Sequence, residues 1–160
     1  MVWNTTSDKN SLPMNLGAAL SKVNAGTVTK IASSTFPSST VDNLLNGSSL
    51  IFAAPTDAAF TPSIVSTFQG LSAYDQRNLL ANHFADISKL KKLDPNTNYI
   101  VPSLGDTPMS ILTDAFANIK SINNLPVTTR IATQNGSILA SIPSVILPNS
   151  VQLLANCTRL

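Results

Sequence analysis

Apolar residues recur along the chain with two different spacings, and each spacing predicts a different kind of element. Between residues 12 and 84 they fall three or four positions apart, as Ile64, Val65 and Phe68 do, which is the spacing of one helix face. Beyond residue 97, short segments such as NYIVPSL and VTTRIAT alternate apolar with polar positions and are separated by Asn, Pro and Gly. The pattern predicts an α+β fold, with a helix-rich first half and a strand-rich second half.

Two continuous apolar runs stand apart from both patterns. The first extends from Leu50 to Ala54 and stops at Pro55; the second lies within NGSILASIPSVILP, residues 135–148, and is also closed by a proline. Five apolar residues without helical stagger are typical of a fully buried strand, and a closing proline cannot donate to a continuing ladder. We expect two buried strands that meet in one core, although roughly 80 residues separate them along the chain.

Several polar or small residues mark the ends of the predicted helices. Asn15 is placed to cap a first helix and Gly26 to end it, and Ser72 is placed to cap the helix SAYDQRNLLANHF. Thr56 and Asp57 follow the first buried strand directly, so their side-chain oxygens are expected to cap the helical segment that comes next. This stretch is therefore predicted as a strand, a tight corner and a helix start.

Composition and charge bound the domain organisation. A chain of 160 residues with 43% hydrophobic and 11% charged residues is long enough for one core and has the opposite balance to a disordered chain. We expect a flexible arm over residues 1–11, one domain over 12–150 and a tail over 151–160. The net charge of +2 is small, and the basic residues are scattered apart from Lys89, Lys91 and Lys92, which predicts no nucleic-acid partner. No apolar run approaches the roughly 18 residues of a transmembrane helix.

Three stretches resemble the sequence boxes of the fasciclin domain family. IFAAPTDAAF, residues 51–60, is similar to the family's first box, and NHF, residues 82–84, stands where the family has a Tyr-His pair. NGSILASIPSVILP is similar to the second box, with an Asn-Gly, a strand and a closing Leu-Pro. The resemblance implies a wedge of two β-sheets flanked by a helical layer, with the two boxes as neighbouring central strands.

The chain also departs from the family pattern at two places. Asn82 replaces the aromatic residue that normally precedes the histidine, in a region implicated in integrin binding in animal members. In the second box, Leu139, Ala140, Ser141 and Ile142 replace the common His-Val-Ile-Asp, so the polar pair near the strand end is missing. The first departure argues against integrin as the particular partner, and the second favours an apolar interior.

Catalysis is not expected from this inventory of side chains. His83 is the only histidine, no glutamate is present, and no nucleophile elbow, phosphate-binding loop or dinucleotide motif occurs. The single cysteine, Cys157, lies too far from His83 in the sequence for metal-ligand spacing. We expect His83 to be a core residue bonded to backbone or to the corner at Thr56 and Asp57, and the protein to be neither an enzyme nor a metal binder.

Four sequons for N-linked glycosylation occur, at Asn4, Asn46, Asn135 and Asn156. Their number is what the high content of Asn, Ser and Thr produces by chance, so position is the more useful guide. Asn46 and Asn135 each precede a glycine in a predicted turn, where a glycan would be tolerated. If the protein is secreted, these two are the best acceptor candidates.

Two functions remain open for such a protein. The resemblance implies a secreted, extracellular module that binds a cell-surface or matrix protein or a glycan; its leader would precede Met1, because MVWNTTSDKN lacks the pattern of a signal peptide. The alternative is a water-soluble carrier of a long apolar molecule, a carotenoid such as astaxanthin or a lipid, as in some algal relatives. Its candidate lining residues, each of which is also consistent with ordinary core, are Leu50, Phe52, Met109, Ile111, Ile138, Leu139, Ile142 and Val145. An intracellular structural domain would leave the resemblance unexplained.

Overall fold

The computed structural model describes residues 12–23, 25–90, 92–105 and 107–146. The expected arm over residues 1–11 and tail over 151–160 lie outside the described residues. Within them the first part of the chain is helical and the last part is extended, which confirms the α+β prediction. The helices are α1 (Leu16–Leu20), α2 (Gly26–Thr35), α3 (Ser38–Asn46), α4 (Pro62–Gln69) and α5 (Ala73–Ala81), with a short 3₁₀ turn at Asp57–Ala59 before α4.

The strands of the described chain form two four-stranded sheets. Their bounds are β1 (Leu50–Pro55), β2 (Phe84–Asp86), β3 (Asn98–Val101), β4 (Met109–Thr113), β5 (Ile119–Ile122), β6 (Leu125–Pro126), β7 (Thr129–Ala132) and β8 (Ile138–Ile142). The first sheet has the order β2-β1-β8-β7, and the second has the order β3-β4-β5-β6. We call them sheet A and sheet B. The segments NYIVPSL and VTTRIAT, which were predicted to be extended, contain β3 and β7.

The two continuous apolar runs lie side by side at the centre of sheet A. Strands β1 and β8 pair in parallel, with Ile51 opposite Ile138 and Pro55 opposite Ile142, so the expectation that the runs meet in one core is confirmed. β1 pairs on its other side with β2, in antiparallel register with Phe52 opposite Phe84. Strands covered on both faces need apolar residues at every position, which explains runs without alternation.

Hydrogen bonds between the turns that precede β1 and β8 align the two strands. Asn135 Nδ2 donates to the carbonyl oxygen of Gly47 at 3.1 Å, and Ser137 Oγ donates to the same oxygen at 2.8 Å. Ser137 Oγ also accepts from the backbone N–H of Leu50 at 3.1 Å. Gly136 has a φ of +84°, a left-handed conformation that favours glycine and that explains the Asn-Gly sequence at this turn.

Sheet A separates two apolar layers. Alternate residues of its strands face the helices, among them Phe52, Leu139 and Phe84, and they pack with Leu16 and Val28 of the helical layer. The intervening residues face sheet B; examples are Ile51, Ala53, Ala140 and Ile142, which pack with Met109, Ile111, Ile119 and Ile122. The helices therefore cover one face of sheet A and sheet B covers the other.

The predicted helix ends are correct at two places and wrong at two. The side chain of Asn15 caps α1 by accepting from Ala18 N at 2.9 Å, and that of Ser72 caps α5 by accepting from Asp75 N at 3.1 Å. Gly26 does not end the first helix, because α1 stops at Leu20 and Gly26 is the first residue of α2. A glycine is tolerated both after the end of a helix and at its start. The spacing of the apolar residues does not show where α1 ends and α2 begins.

Thr56 and Asp57 do not cap the helix that follows β1. That role belongs to Thr61, whose Oγ1 accepts from Ile64 N at 3.2 Å and which Pro62 follows at the first helical position. Asp57 is the first residue of a 3₁₀ turn that lies between β1 and α4. The side chains of Thr56 and Asp57 are therefore one turn away from the first N–H groups of α4. The predicted cap is wrong because the corner contains an extra turn.

Candidate functional site

The carboxylate of the first box acts on a helix that is distant in sequence. Asp57 Oδ1 accepts a hydrogen bond from Thr27 N at 2.8 Å, and Thr27 is the second residue of α2. Ala25, which precedes α2, has no side-chain oxygen for this purpose. The bond from Thr27 lowers the pKa of Asp57 below its usual value, with a smaller contribution from the charge of Lys30. Asp57 therefore caps α2 from the corner after β1.

His83 is a buried structural histidine. Its side chain is 1% exposed, Nδ1 lies 2.9 Å from the carbonyl oxygen of Leu79, and Nε2 accepts from Ile146 N at 2.9 Å. Because the Ile146 amide is a donor, Nδ1 carries the proton and the ring is neutral. Burial lowers the pKa of His83 from 6.5 to about 4, against a smaller opposing effect of hydrogen bonds to the carbonyls of Leu79 and Leu80.

His83 was predicted to be a core residue bonded either to backbone or to the Thr56–Asp57 corner, and the first alternative is confirmed. The ring bonds to backbone, as predicted, and it links the end of α5 to the chain that follows β8. The second alternative, a bond from the ring to the Thr56–Asp57 corner, is wrong. Asp57 bonds to Thr27 instead, and both ring nitrogens of His83 are bonded to backbone.

Asn82, the residue before His83, holds the loop between β3 and β4. Its side chain is 1% exposed, and its Oδ1 accepts from Ser103 Oγ at 3.1 Å and from Thr107 N at 3.0 Å. Gly105 lies so close that an added Cβ would overlap Asn82 Oδ1 and come within 2.8 Å of the Asn78 carbonyl oxygen. The sequence predicts no role for this loop. Gly105 is the one residue whose identity could have indicated a close approach of the loop to its neighbours.

The eight candidate lining residues do not line one crevice. Four of them, Leu50, Phe52, Leu139 and Val145, pack in the layer between sheet A and the helices. The other four, Met109, Ile111, Ile138 and Ile142, pack in the layer between the two sheets. Sheet A lies between the two sets, so a single apolar ligand cannot contact both without crossing the sheet.

Each apolar layer contains a small cavity. In the helical layer, a cavity of about 20 Å³ lies above the stacked rings of Phe52 and Phe84, whose centroids are 4.2 Å apart with planes inclined at 4°. Between the sheets, a cavity of about 50 Å³ is lined only by isoleucine and leucine, including the candidates Ile111 and Ile138. Such volumes exceed that of a water-sized void but are far smaller than a carotenoid.

An exposed phenylalanine occupies the turn between β4 and β5. Phe116 is 81% exposed, and its backbone N–H donates to Asp114 Oδ1 at 2.8 Å. Asn118 N donates to the same oxygen at 3.0 Å, and these two bonds lower the pKa of Asp114. Ile100 on the edge strand β3 is 64% exposed and adds a second apolar group on sheet B. Neither residue can be recognised from the sequence, because an exposed apolar side chain has no sequence signature.

The sequon asparagines differ in what their side chains do. Asn46 is exposed at the end of α3, and its Oδ1 accepts from Asn15 Nδ2 at 2.7 Å. Asn135 is half-buried, its Oδ1 accepts from Thr133 Oγ1 at 2.6 Å, and its Nδ2 donates to Gly47. Asn4 and Asn156 lie outside the described residues, as does Cys157. Asn46 is therefore the more accessible acceptor of the two that the structure describes.

Neither a metal cluster nor a helix able to cross a membrane occurs in the described part of the chain. No three histidine, cysteine or acidic side chains come together there in a group that could hold a metal ion. None of its helices has the length and the apolar character needed to cross a membrane.

Comparison with known proteins adds no family assignment. No protein-family model matches the chain, and no curated protein matches it. The fasciclin resemblance therefore rests on its three boxes and their order, and it stays a prediction.

Proposed function

We propose that the chain is a non-catalytic, fasciclin-type binding module that acts outside the cell by contacting a cell-surface or matrix protein or a glycan. The observation that carries the preference for binding over catalysis is the state of His83. It is the only histidine of the chain, and both ring nitrogens are bonded to backbone inside the core. The one side chain suited to act as an acid or base at neutral pH therefore has both nitrogens engaged in structural hydrogen bonds.

The surface that supports contact with a protein is the β4–β5 turn. Phe116 is 81% exposed, and the two amide bonds to Asp114 hold its backbone in one conformation before any partner arrives. An exposed aromatic side chain on a hydrogen-bonded turn is the kind of group that anchors interfaces, because the backbone that carries it loses little conformational entropy on binding. Ile100 is a separate exposed apolar group on the same sheet, since it pairs with Ser110 near the other end of β4.

A solid-phase screen against matrix proteins, glycans and cells tests the proposal. Binding should appear for the intact protein and fall at least about tenfold for Phe116→Ser, because truncating a central aromatic anchor removes much of an interface's affinity. Tyr74→Ser is the matched control, since Tyr74 is 66% exposed on α5, away from this turn. Absence of binding to every surface would contradict the proposal, and equal losses for both variants would contradict the choice of Phe116.

A second candidate function is supported by the apolar cavity between the sheets. A carrier of a carotenoid or lipid needs a water-excluding site, and this cavity, whose volume admits only one end of such a molecule, presents only aliphatic side chains. The test is an absorption spectrum of the protein after mixing with a carotenoid extract and size-exclusion chromatography. A visible band that co-elutes with the protein supports the carrier function, whereas a colourless protein without extractable lipid contradicts it.

Secretion would bring the sequons into contact with the glycosylation machinery. We expect a glycan at Asn46 in preference to Asn135, whose Nδ2 is engaged with Gly47 in the folded protein. Treatment with peptide N-glycosidase should reduce the mass of the secreted protein, and Asn46→Gln should abolish most of that change. A mass change that persists in Asn46→Gln and disappears in Asn135→Gln would reverse the assignment.

A further inference from the structure

We propose that the cavity between the two sheets binds the hydrocarbon end of an anionic amphiphile of the fatty-acid class, with the carboxylate held by Lys89 and Lys92. The inference rests on the carrier function proposed above and adds to it the site and the chemical class of the ligand.

The cavity has an apolar floor that is closed to water. Ile51, Ile111 and Ile119 form this floor, from β1, β4 and β5 respectively, and none of the three is more than 2% exposed. The volume of about 50 Å³ admits the end of an alkyl chain and not a whole long molecule. A ligand seated here therefore has one end inside and the rest directed toward the surface.

The mouth of the cavity lies under the segment that follows β2. Ile87, Leu90 and Leu93 of this segment line the cavity and are half-buried, as is Ile138 at the start of β8. Half-buried lining residues mark the side on which the cavity reaches solvent. The segment contacts the cavity at every third residue and has no regular helix or strand between Ile87 and Leu93 in its described part.

The same segment carries positive charge on its outer side. Lys89 and Lys92 are exposed, and they alternate in sequence with the lining residues Leu90 and Leu93. The nearby carboxylate of Asp86 accepts from Ser88 N at 2.8 Å, and the charge of Lys89 contributes to lowering its pKa. An aliphatic cavity whose lining residues Leu90 and Leu93 directly follow exposed lysines in sequence matches a molecule with an alkyl tail and an anionic head, and it matches an uncharged carotenoid less well.

Isoleucine methyl spectra give a direct test, because five of the seven lining residues are isoleucine. In protein with isotope-labelled isoleucine methyl groups, laurate added below its micellar concentration should shift the signals of the cavity residues. Ile31 and Ile64 pack in the helical layer and Ile100 is exposed on β3, so their signals are the internal controls. Shifts confined to the control signals, or no shifts at all, would overturn the site.

Charge variants test the head group. Lys89→Gln combined with Lys92→Gln should weaken laurate binding about threefold to tenfold and leave lauryl alcohol unaffected, since exposed charge pairs contribute modestly. Lys22→Gln combined with Lys30→Gln is the matched control, because these lysines are exposed on the helical side of the chain. Equal effects on acid and alcohol, or equal effects of both double variants, would overturn the anionic specificity. Carotenoid uptake with unshifted cavity methyl signals would leave the carrier function standing and remove this site.

Discussion

Asp57 Oδ1 accepts a hydrogen bond from the backbone N–H of Thr27 at 2.8 Å, although the two residues are 30 positions apart. Asp57 is thus the N-terminal cap of a helix that precedes it in the chain. Since Ala25 offers no side-chain cap, the start of α2 depends on the corner after β1. The hydrogen bond between Thr27 and Asp57 therefore connects the helical layer to the end of β1 in sheet A.

Removing the Asp57 carboxylate should therefore loosen α2. Asp57→Ala is expected to lower the melting temperature by about 2–4 °C, the usual effect of losing a cap in a domain of this size. Because the folded-state pKa of Asp57 is lowered, the stabilisation is present above the usual pKa of 3.8 and is lost as the pH falls through the folded-state value. Asp42→Asn, at an exposed position within α3, is the control and should change the melting temperature little; equal changes would contradict the cap.

Burial of neutral His83 predicts stability that depends on pH. The unfolded chain takes up a proton near pH 6.5 and the folded chain only near pH 4, so full stability is present above pH 6.5 and is lost as the pH falls toward 4. Lowering the pKa of His83 from 6.5 to about 4 corresponds to about 3 kcal/mol of stability. Urea unfolding between about pH 7.5 and pH 4.5 measures this slope. His83→Leu should abolish most of it, and an unchanged slope in that variant would assign it to other groups.

The paired rings on β1 and β2 should contribute strongly to stability. Phe52 is 4% exposed and stacks on Phe84, so Phe52→Ala is expected to lower the free energy of unfolding by about 3–5 kcal/mol. Phe116→Ala removes the same number of atoms from a side chain that is 81% exposed, and it should change stability by less than about 0.5 kcal/mol. Denaturant titration compares the two variants, and similar losses would mean that β1 is not central.

Gly105 and Gly26 form a second matched pair. A Cβ at position 105 would overlap Asn82 Oδ1, and Gly105→Ala should therefore destabilise the protein by about 1–3 kcal/mol. At position 26 a Cβ meets nothing within 4 Å, and Gly26→Ala at the start of α2 should be neutral or stabilising by up to about 1 kcal/mol. Thermal melting separates these outcomes; if Gly105→Ala melted at or above the wild-type temperature, the Asn82 anchor would be wrong.

Local patterns predicted the fold class, the two central strands and the caps at Asn15 and Ser72, because each depends on residues within one element. The role of Asp57 escaped prediction because its partner is distant in sequence and a cap is assigned by default to the next helix. His83 was predicted to be buried from its helix face, but the acceptor role toward Ile146 requires knowing where β8 ends.

The candidate site was less predictable than the fold. The lining residues were chosen as apolar positions of strands, yet alternate positions of a strand face opposite sides of a sheet. Phe52 and Ile111 therefore lie in different layers. Ile87, Leu90 and Leu93, which cover the larger cavity, recur at every third position, but that spacing alone does not distinguish the cover of a cavity from the face of a short helix.

Because β1 pairs in parallel with β8, sheet A cannot be completed during synthesis until the last strand has been made. β1 acquires β2 as a neighbour once residue 86 has emerged, but its other edge waits for Ile138 and the strand that begins there. Until then a fully apolar strand presents unpaired backbone groups to whatever chain is nearby, and this is the surface through which strands from different molecules join. Translation products that stop before residue 138 should consequently aggregate, and long-range closure of this kind should make refolding slow relative to helical domains of equal length.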